Sequence, residues 1–103
     1  MNKKYKLTYL PIFQNDLTEA AYYISRVLKN PAAANRLIDD VEKAILERLK
    51  SPDSFQPYQS KRKRNHSYYR INIRNFSVFY VVIGNTMEVR RFIYSKRDID
   101  AII

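Results

Sequence analysis

The sequence has no cysteine, no tryptophan, one histidine and one glycine among its 103 residues. The absence of cysteine excludes disulfides and thiolate nucleophiles, and a single histidine leaves a structural zinc site short of its usual ligands. One glycine also argues against a glycine-rich loop that would hold nucleotide phosphates. We therefore expect a globular domain that uses no metal and no cofactor, of a kind typical of the bacterial cytoplasm.

Long apolar segments are also missing. The opening "MNKKYKLTYLPIF" is positively charged, but polar residues interrupt its apolar runs. Nothing elsewhere approaches the roughly 20 apolar residues that a membrane-spanning helix needs. We expect one domain over residues 1–103, neither exported by a recognisable signal nor embedded in a membrane.

Positive charge is abundant and unevenly placed. The formal net charge is +9. Residues 57–103 carry ten lysines and arginines against three acidic residues, so most of the excess lies in the second half. This asymmetry predicts an acidic partner, either a phosphate backbone or an acidic protein segment, and says little about the fold.

The first half of the chain predicts a strand followed by a helical hairpin. Alternating apolar and polar residues over 5–10 are typical of a half-buried strand. Pro11 and Pro31 each suit the first turn of a helix, and Asn30 before Pro31 is a favourable N-cap. Apolar residues recur at steps of three and four as far as Leu28 in the first helix and Leu49 in the second. The short connection between them predicts antiparallel helices.

The second half predicts three more strands. Alternation resumes near Tyr68, a tight turn falls near Asn75, and "FSVFYVVI" follows. Gly84 and Asn85 tolerate the positive φ of a second turn, after which "TMEVRRFIY" gives the last strand and "SKRDIDAII" a short terminal helix. The predicted fold is α+β: a small antiparallel β-sheet with an N-terminal α-helical hairpin packed on one face, in the order β-α-α-β-β-β.

Arginines from two strands could converge on the face of the sheet away from the helices. If Tyr69, Ile71 and Ile73 face the core, the alternation sends Arg70, Asn72 and Arg74 to the other side. On the last strand, the face opposite Val89 and Ile93 would carry Arg90, Phe92 and Tyr94. Guanidinium groups bind phosphate oxygens bidentately and tyrosine rings stack on bases, although a solvated basic face explains the same pattern.

The segment "KRKRNH" adds a second group of candidates. It should form a loop whose charges contact nucleic acid or another target, and the contact residues that we predict are Lys61, Arg62, Lys63, Arg64, Arg90 and Lys96. Histidine is the side-chain type whose unperturbed pKa lies near neutrality, which suits general acid–base catalysis. His66 is therefore a candidate for proton transfer, with a structural role as the alternative.

Three stretches give the chain a family resemblance. The opening "YKLTYLPIFQNDLTEAAYYI", the middle "YRINIRNFSVFYVV" and the closing "VRRFIYSKRDIDAII" together resemble the RelE/ParE superfamily of bacterial type II toxins, over essentially the whole chain. The resemblance implies a toxin that a cognate antitoxin neutralises by wrapping a segment around the helical hairpin and sheet.

A RelE-like member would be a ribosome-dependent mRNA endoribonuclease, cutting without metal by attack of a 2′-hydroxyl on the adjacent phosphate. That resemblance implies catalytic roles for Arg70, Arg74 and Arg97. Ser77 stands where those nucleases place an arginine, and their C-terminal tyrosine has no counterpart. Tyr94 or His66 would then have to transfer the proton.

A ParE-like member would have the same fold and a long helical hairpin, would lack that catalytic set, and would inhibit DNA gyrase. The hairpin and the "SKRD" ending favour this alternative slightly. Two further hypotheses stay open at this point. One is a non-enzymatic module that binds single-stranded nucleic acid through a basic sheet, and the other is an inactive toxin that retains only antitoxin binding.

Overall fold

The computed structural model describes residues 4–59 and 64–103 and confirms the predicted α+β class. Lys61, Arg62 and Lys63 of the predicted contact loop lie outside these residues. The elements are β1 (Lys6–Tyr9), α1 (Pro11–Tyr22) with a π-helical continuation (Tyr23–Val27), α2 (Pro31–Arg48), β2 (Tyr69–Ile73), β3 (Phe76–Ile83), β4 (Thr86–Tyr94) and α3 (Ile99–Ile102). Within the described ranges, no helix combines the length and apolar character required to cross a membrane.

The helices begin where their capping residues predict. Pro11 and Pro31 occupy the first turns of α1 and α2, and the Asn30 side chain accepts a hydrogen bond from the Ala33 amide at 3.1 Å. The first helix ends differently from the prediction: its last turn is a π-helix, in which the Leu28 amide donates to the Tyr23 carbonyl at 3.1 Å. This wider turn changes the helical phase, so the apolar stripe does not continue into Leu28, which is largely exposed.

The sheet has the strand order β1-β4-β3-β2. β2 with β3 and β3 with β4 form the two predicted antiparallel hairpins. β1 instead pairs with β4 in parallel, so the sheet is mixed and the expectation of a wholly antiparallel sheet is corrected. The hairpin of α1 and α2 lies between β1 and the other strands in the chain, and a parallel pairing needs a long connection of this kind.

Both faces of the sheet carry apolar clusters. The face packed by α1 and α2, called here the helix face, holds the main core, including Phe13, Leu37, Val41, Val78 and Val89. The opposite face holds a smaller cluster of Tyr68, Phe79, Val81, Ile93, Ile99 and Ile103, so α3 covers part of it. The opposite face therefore carries a second apolar cluster beside its polar side chains.

A β-bulge reverses the side-chain alternation in β4. Phe79 lies opposite Arg91, whereas the next residue of β3, Tyr80, lies opposite Val89. Val89 and Phe92 consequently share the main core, while Ile93 joins the cluster on the opposite face. The prediction that Val89 and Ile93 share one face is wrong, because a bulge adds an unpaired residue to one strand only.

Arg74 occupies the turn rather than the strand. It has φ of 55° between β2 and β3, and its guanidinium pairs with the Asp40 carboxylate on α2. Its predicted position on the face opposite the helices is therefore wrong. The side chain reaches back over the helical layer because the chain reverses direction at this residue.

Tyr80 anchors the loop that follows α2. Its side chain is fully buried, its hydroxyl donates to the Pro52 carbonyl at 2.6 Å, and Arg48 donates to the same hydroxyl at 2.9 Å. The Arg48 guanidinium also lies 3.5 Å from the centroid of the Phe55 ring. These contacts fasten the irregular loop to the helix face of the sheet, where Tyr80 belongs to the main core.

The pKa of Tyr80 predicts a loss of stability at alkaline pH. Burial raises this pKa above 10.0, although the hydrogen bond and charge of Arg48 act in the opposite direction. Above about pH 10 the unfolded chain therefore loses the phenol proton while the folded chain retains it, so the free energy of unfolding should fall as pH rises. Denaturant titrations over about pH 8–11, a range that brackets the unperturbed tyrosine pKa, test this loss of stability.

The matched variant is Tyr80→Phe, which keeps the ring and removes the titrating group. We expect it to be about 1–2 kcal/mol less stable near neutral pH, since it leaves the Pro52 carbonyl without this donor. Its stability should also fall less steeply above pH 10 than that of the unchanged protein. Parallel pH profiles for the two proteins would contradict the assignment to Tyr80.

Candidate functional site

A groove runs between the end of the first helix and the end of β4. Its volume is about 590 Å³. Ala20, Tyr23, Ile24 and Leu28 line the helical wall, and Phe76, Phe92, Tyr94 and Arg97 are among the residues of the sheet wall. The stacked rings of Phe76 and Phe92, with centroids 4.7 Å apart, form an apolar surface beside the charged groups. Grooves with an apolar floor and a few charges at the rim are typical binding sites.

A three-pronged interaction of Asp16 joins the two walls of the groove. The Asp16 carboxylate accepts hydrogen bonds from Arg91 Nε at 2.7 Å, from Arg91 Nη2 at 3.1 Å and from the Phe92 amide at 3.0 Å. The two side chains are only 14% and 21% exposed. Because Arg91 lies at the β-bulge, this pairing ties α1 to the bulge and fixes the distance between the groove walls.

Exposed apolar side chains continue from the groove onto the tip of the helical hairpin. Tyr22, Tyr23, Val27 and Leu28 are each more than half exposed. They lie on the last turn of α1 and on the π-helical segment with its cap. Contiguous exposed apolar groups of this kind are typical of protein interfaces. The groove and this tip together are the candidate functional site, called here the tip groove.

Arg70 lies on the opposite face of the sheet in a hydrogen-bonded cluster. Its Nε donates to Ser77 Oγ at 2.8 Å, and Ser77 Oγ also lies 3.1 Å from Asn72 Oδ1 and 3.0 Å from Ser95 Oγ. Ser77 is completely buried. The hydrogen bond from Arg70 Nε to Ser77 Oγ orients the Arg70 side chain, so Ser77 has a positioning role in this cluster. Strand alternation did not reveal this, because Ser95 comes from a distant part of the chain.

A second, smaller pocket brings together three of the predicted residues. Arg64, Asn65, His66, Tyr68 and Arg90 line a volume of about 290 Å³. The guanidinium carbons of Arg64 and Arg90 lie 4.6 and 5.8 Å from the centroid of the Tyr68 ring. We call this the basic pocket.

Arg90 is held in place by an acidic neighbour. Its Nε donates to Glu88 Oε2 at 2.8 Å, and both side chains are largely buried. Burial acts to lower the pKa of Arg90, but hydrogen bonds to Tyr68 and Glu88 outweigh that effect and raise it. Arg90 therefore keeps its positive charge in this partly buried position.

Apart from Lys96, the described candidate residues lie in four separate places. Tyr94 and Arg97 lie together at the tip groove, and Arg64, His66 and Arg90 lie together at the basic pocket. Arg70 belongs to the serine cluster, and Arg74 pairs with Asp40. Lys96 is exposed in the turn after β4. Sequence reasoning missed Asp16 and Arg91, which meet across 75 positions of the chain.

Comparisons with known proteins give a family match and solved structures with a similar fold. A family model described as the ParE toxin of the type II toxin-antitoxin system parDE matches residues 7–99. Among solved structures, the chromosomal ParDE TA system from P. aeruginosa is similar at a TM-score of 0.72 and 16% identity, covering 91% of this chain and 99% of the other. The RelB-RelE antitoxin-toxin complex from Methanococcus jannaschii is similar at a TM-score of 0.51 and 22% identity, covering 93% and 99%. A search of curated proteins gives no significant match.

Proposed function

Because the chain belongs to the ParE family of toxins from type II toxin-antitoxin systems, we propose that it arrests growth by binding DNA gyrase and not by cutting RNA. One observation supports this choice: the described side chains with predicted catalytic roles occupy separate surroundings. Tyr94 and Arg97 border the tip groove, whereas His66 borders the basic pocket and Arg70 hydrogen-bonds to buried Ser77. General acid–base catalysis needs its groups within hydrogen-bond reach of the same reacting atoms.

Ser77 supports the same choice. Any side chain at this position is enclosed by Arg70, Asn72 and Ser95, so a long cationic group could reach solvent only by displacing them. Serine contributes no positive charge to stabilise a phosphorane. Each missing acid–base or charge-stabilising group lowers a rate by about 10²–10⁴-fold, and a binding mechanism carries no such loss.

We further propose that the tip groove receives an apolar segment of a cognate antitoxin. The similar structures are described as a ParDE TA system and an antitoxin-toxin complex. In this chain, the stacked rings of Phe76 and Phe92 would contact the apolar side chains of such a segment. Arg97 at the rim, together with the net charge of +9, favours a segment that also carries acidic residues.

Inducible expression in a bacterial host tests the proposed target. Immediately after growth stops, the incorporation of labelled thymidine and of labelled amino acids should be followed in parallel. We expect thymidine incorporation to fall first, with induction of the DNA-damage response, and purified protein to inhibit supercoiling by gyrase. An early loss of amino-acid incorporation with cut mRNA would instead establish the RelE-like nuclease.

The control for expression is Leu37→Asp. Leu37 is 1% exposed in the main core, and a carboxylate there cannot be paired, so this variant should not fold. It should therefore leave growth and both incorporations unchanged. Growth arrest by this control would mean that the effect comes from overproduction and not from the folded toxin.

A further inference from the structure

Antitoxin binding at the tip groove does not explain the composition of the basic pocket, since the groove and the pocket share no lining residue. We propose that Arg64, His66 and Arg90 bind a phosphate of a nucleic-acid backbone. The proposal concerns a second contact surface, and it does not depend on whether gyrase or the ribosome is the target.

The first argument is that the two arginines are positioned before any ligand binds. Tyr68 is buried, and its ring lies beneath both guanidinium groups. Arg64 Nη2 also donates to a main-chain oxygen of Ile103, and Arg90 Nε donates to the Glu88 carboxylate. Long cationic side chains normally lose rotamer freedom on binding, and arginines already fixed by stacking and hydrogen bonds lose less.

The second argument is that the lining favours a phosphate over an acidic peptide. Apart from the Tyr68 ring, each lining side chain carries hydrogen-bond donors: two guanidinium groups, an amide and an imidazole. The tetrahedral oxygens of a phosphate accept bonds from several directions at once. A bound peptide would also need an apolar surface for its neighbouring side chains, and the arginines cover the one ring present.

The third argument is the surrounding charge. The basic pocket lies within the half of the chain that has ten basic and three acidic residues. Glu88 is an acidic side chain that pairs with Arg90. An excess of positive charge around a concave site attracts a polyanion and makes its binding dependent on salt.

Fluorescence anisotropy of a labelled DNA duplex, measured over a series of salt concentrations, tests the proposal. Arg64→Ala and Arg90→Ala should each weaken binding by about tenfold, as expected for a lost charged hydrogen bond. Each should also reduce the slope of log affinity against log salt by about 1, because one phosphate contact is lost. Glu88→Gln keeps an acceptor for Arg90 and removes the negative charge, so it should tighten binding several-fold.

Arg36→Ala is the matched control, since Arg36 is an exposed arginine on α2, away from the basic pocket. It should change the affinity much less than either pocket variant. Circular dichroism should establish that all variants are folded, and Arg90→Lys provides a milder change that keeps the charge.

Competition distinguishes the possible sources of the anion. We expect unlabelled duplex to displace the probe far better than inorganic phosphate or a mononucleotide, because only a backbone adds further contacts. Three results would overturn the proposal: no binding of the unchanged protein at low salt, equal losses for Arg36→Ala and the pocket variants, or displacement by polyglutamate as effective as that by DNA.

Discussion

Replacing Asp16 with alanine is expected to lower the free energy of unfolding by about 3 kcal/mol, within the range for breaking one partner of a largely buried ion pair. Three hydrogen bonds end on this carboxylate, two from Arg91 and one from the Phe92 amide. The substitution removes all three acceptor contacts and leaves the Arg91 guanidinium, 21% exposed, without this counter-ion. Chemical denaturation monitored by tyrosine fluorescence or circular dichroism gives the value directly.

Two companion variants separate the effect of the charge from that of the hydrogen bonds. Asp16→Asn keeps one side-chain oxygen as an acceptor and should retain part of the stability. The double variant Asp16→Ala with Arg91→Met removes the stranded cation, and it should be more stable than Asp16→Ala alone. If Asp16→Ala changed stability by less than about 1 kcal/mol, the pair would be no stronger than a surface salt bridge, and it could not fix the groove walls.

The second large effect concerns the tip groove. Leu28→Asp is expected to weaken antitoxin binding by about 100-fold, equivalent to the roughly 3 kcal/mol of an interface hot spot. Leu28 lines the groove and is 57% exposed, so the substitution leaves the main core intact. It would put a carboxylate where the proposed apolar segment packs, and that charge would lose its water on binding. Calorimetric titration with the cognate antitoxin measures the loss.

Leu46→Asp is the matched control for Leu28→Asp. Leu46 is 48% exposed on α2 and does not line the groove, so the same chemical change there should leave antitoxin affinity nearly unaltered. In cells, the antitoxin should neutralise Leu46→Asp but not Leu28→Asp. Equal weakening by both variants would contradict the tip groove as the antitoxin site, and loss of growth arrest by Leu28→Asp alone would mean that the target shares the groove.

The predicted fold agrees with the structure more closely than the predicted site does. The capping residues Asn30 and Pro31, the apolar stripe of α2 and the hairpins around β3 gave local signals strong enough to predict their elements. The candidate site was predicted less completely. Arg64, His66 and Arg90 do meet, as do Tyr94 and Arg97, but no local pattern indicated that the two groups lie at separate surfaces.

The misplaced side chains have specific physical causes. Strand alternation assumes one residue on each strand per pair, and the extra residue at the bulge of β4 reverses the direction of every side chain beyond it. Arg74 lies in the turn between β2 and β3 with φ of 55°, and its side chain pairs with Asp40 on α2. The π-helical turn similarly ended the apolar stripe of the first helix before Leu28 and left that side chain exposed at the groove.

The amino-acid sequence by itself determined the order of helices and strands, the excess of positive charge in residues 57–103 and the family resemblance, because these depend on local periodicity, caps and composition. Only the tertiary structure decided the parallel pairing of β1 with β4, the bulge held by Asp16, and the division of the arginines among separate surfaces. Those features depend on contacts between residues far apart in the chain. Such contacts are selected by the packing of the whole domain and leave no periodic signal in any one segment.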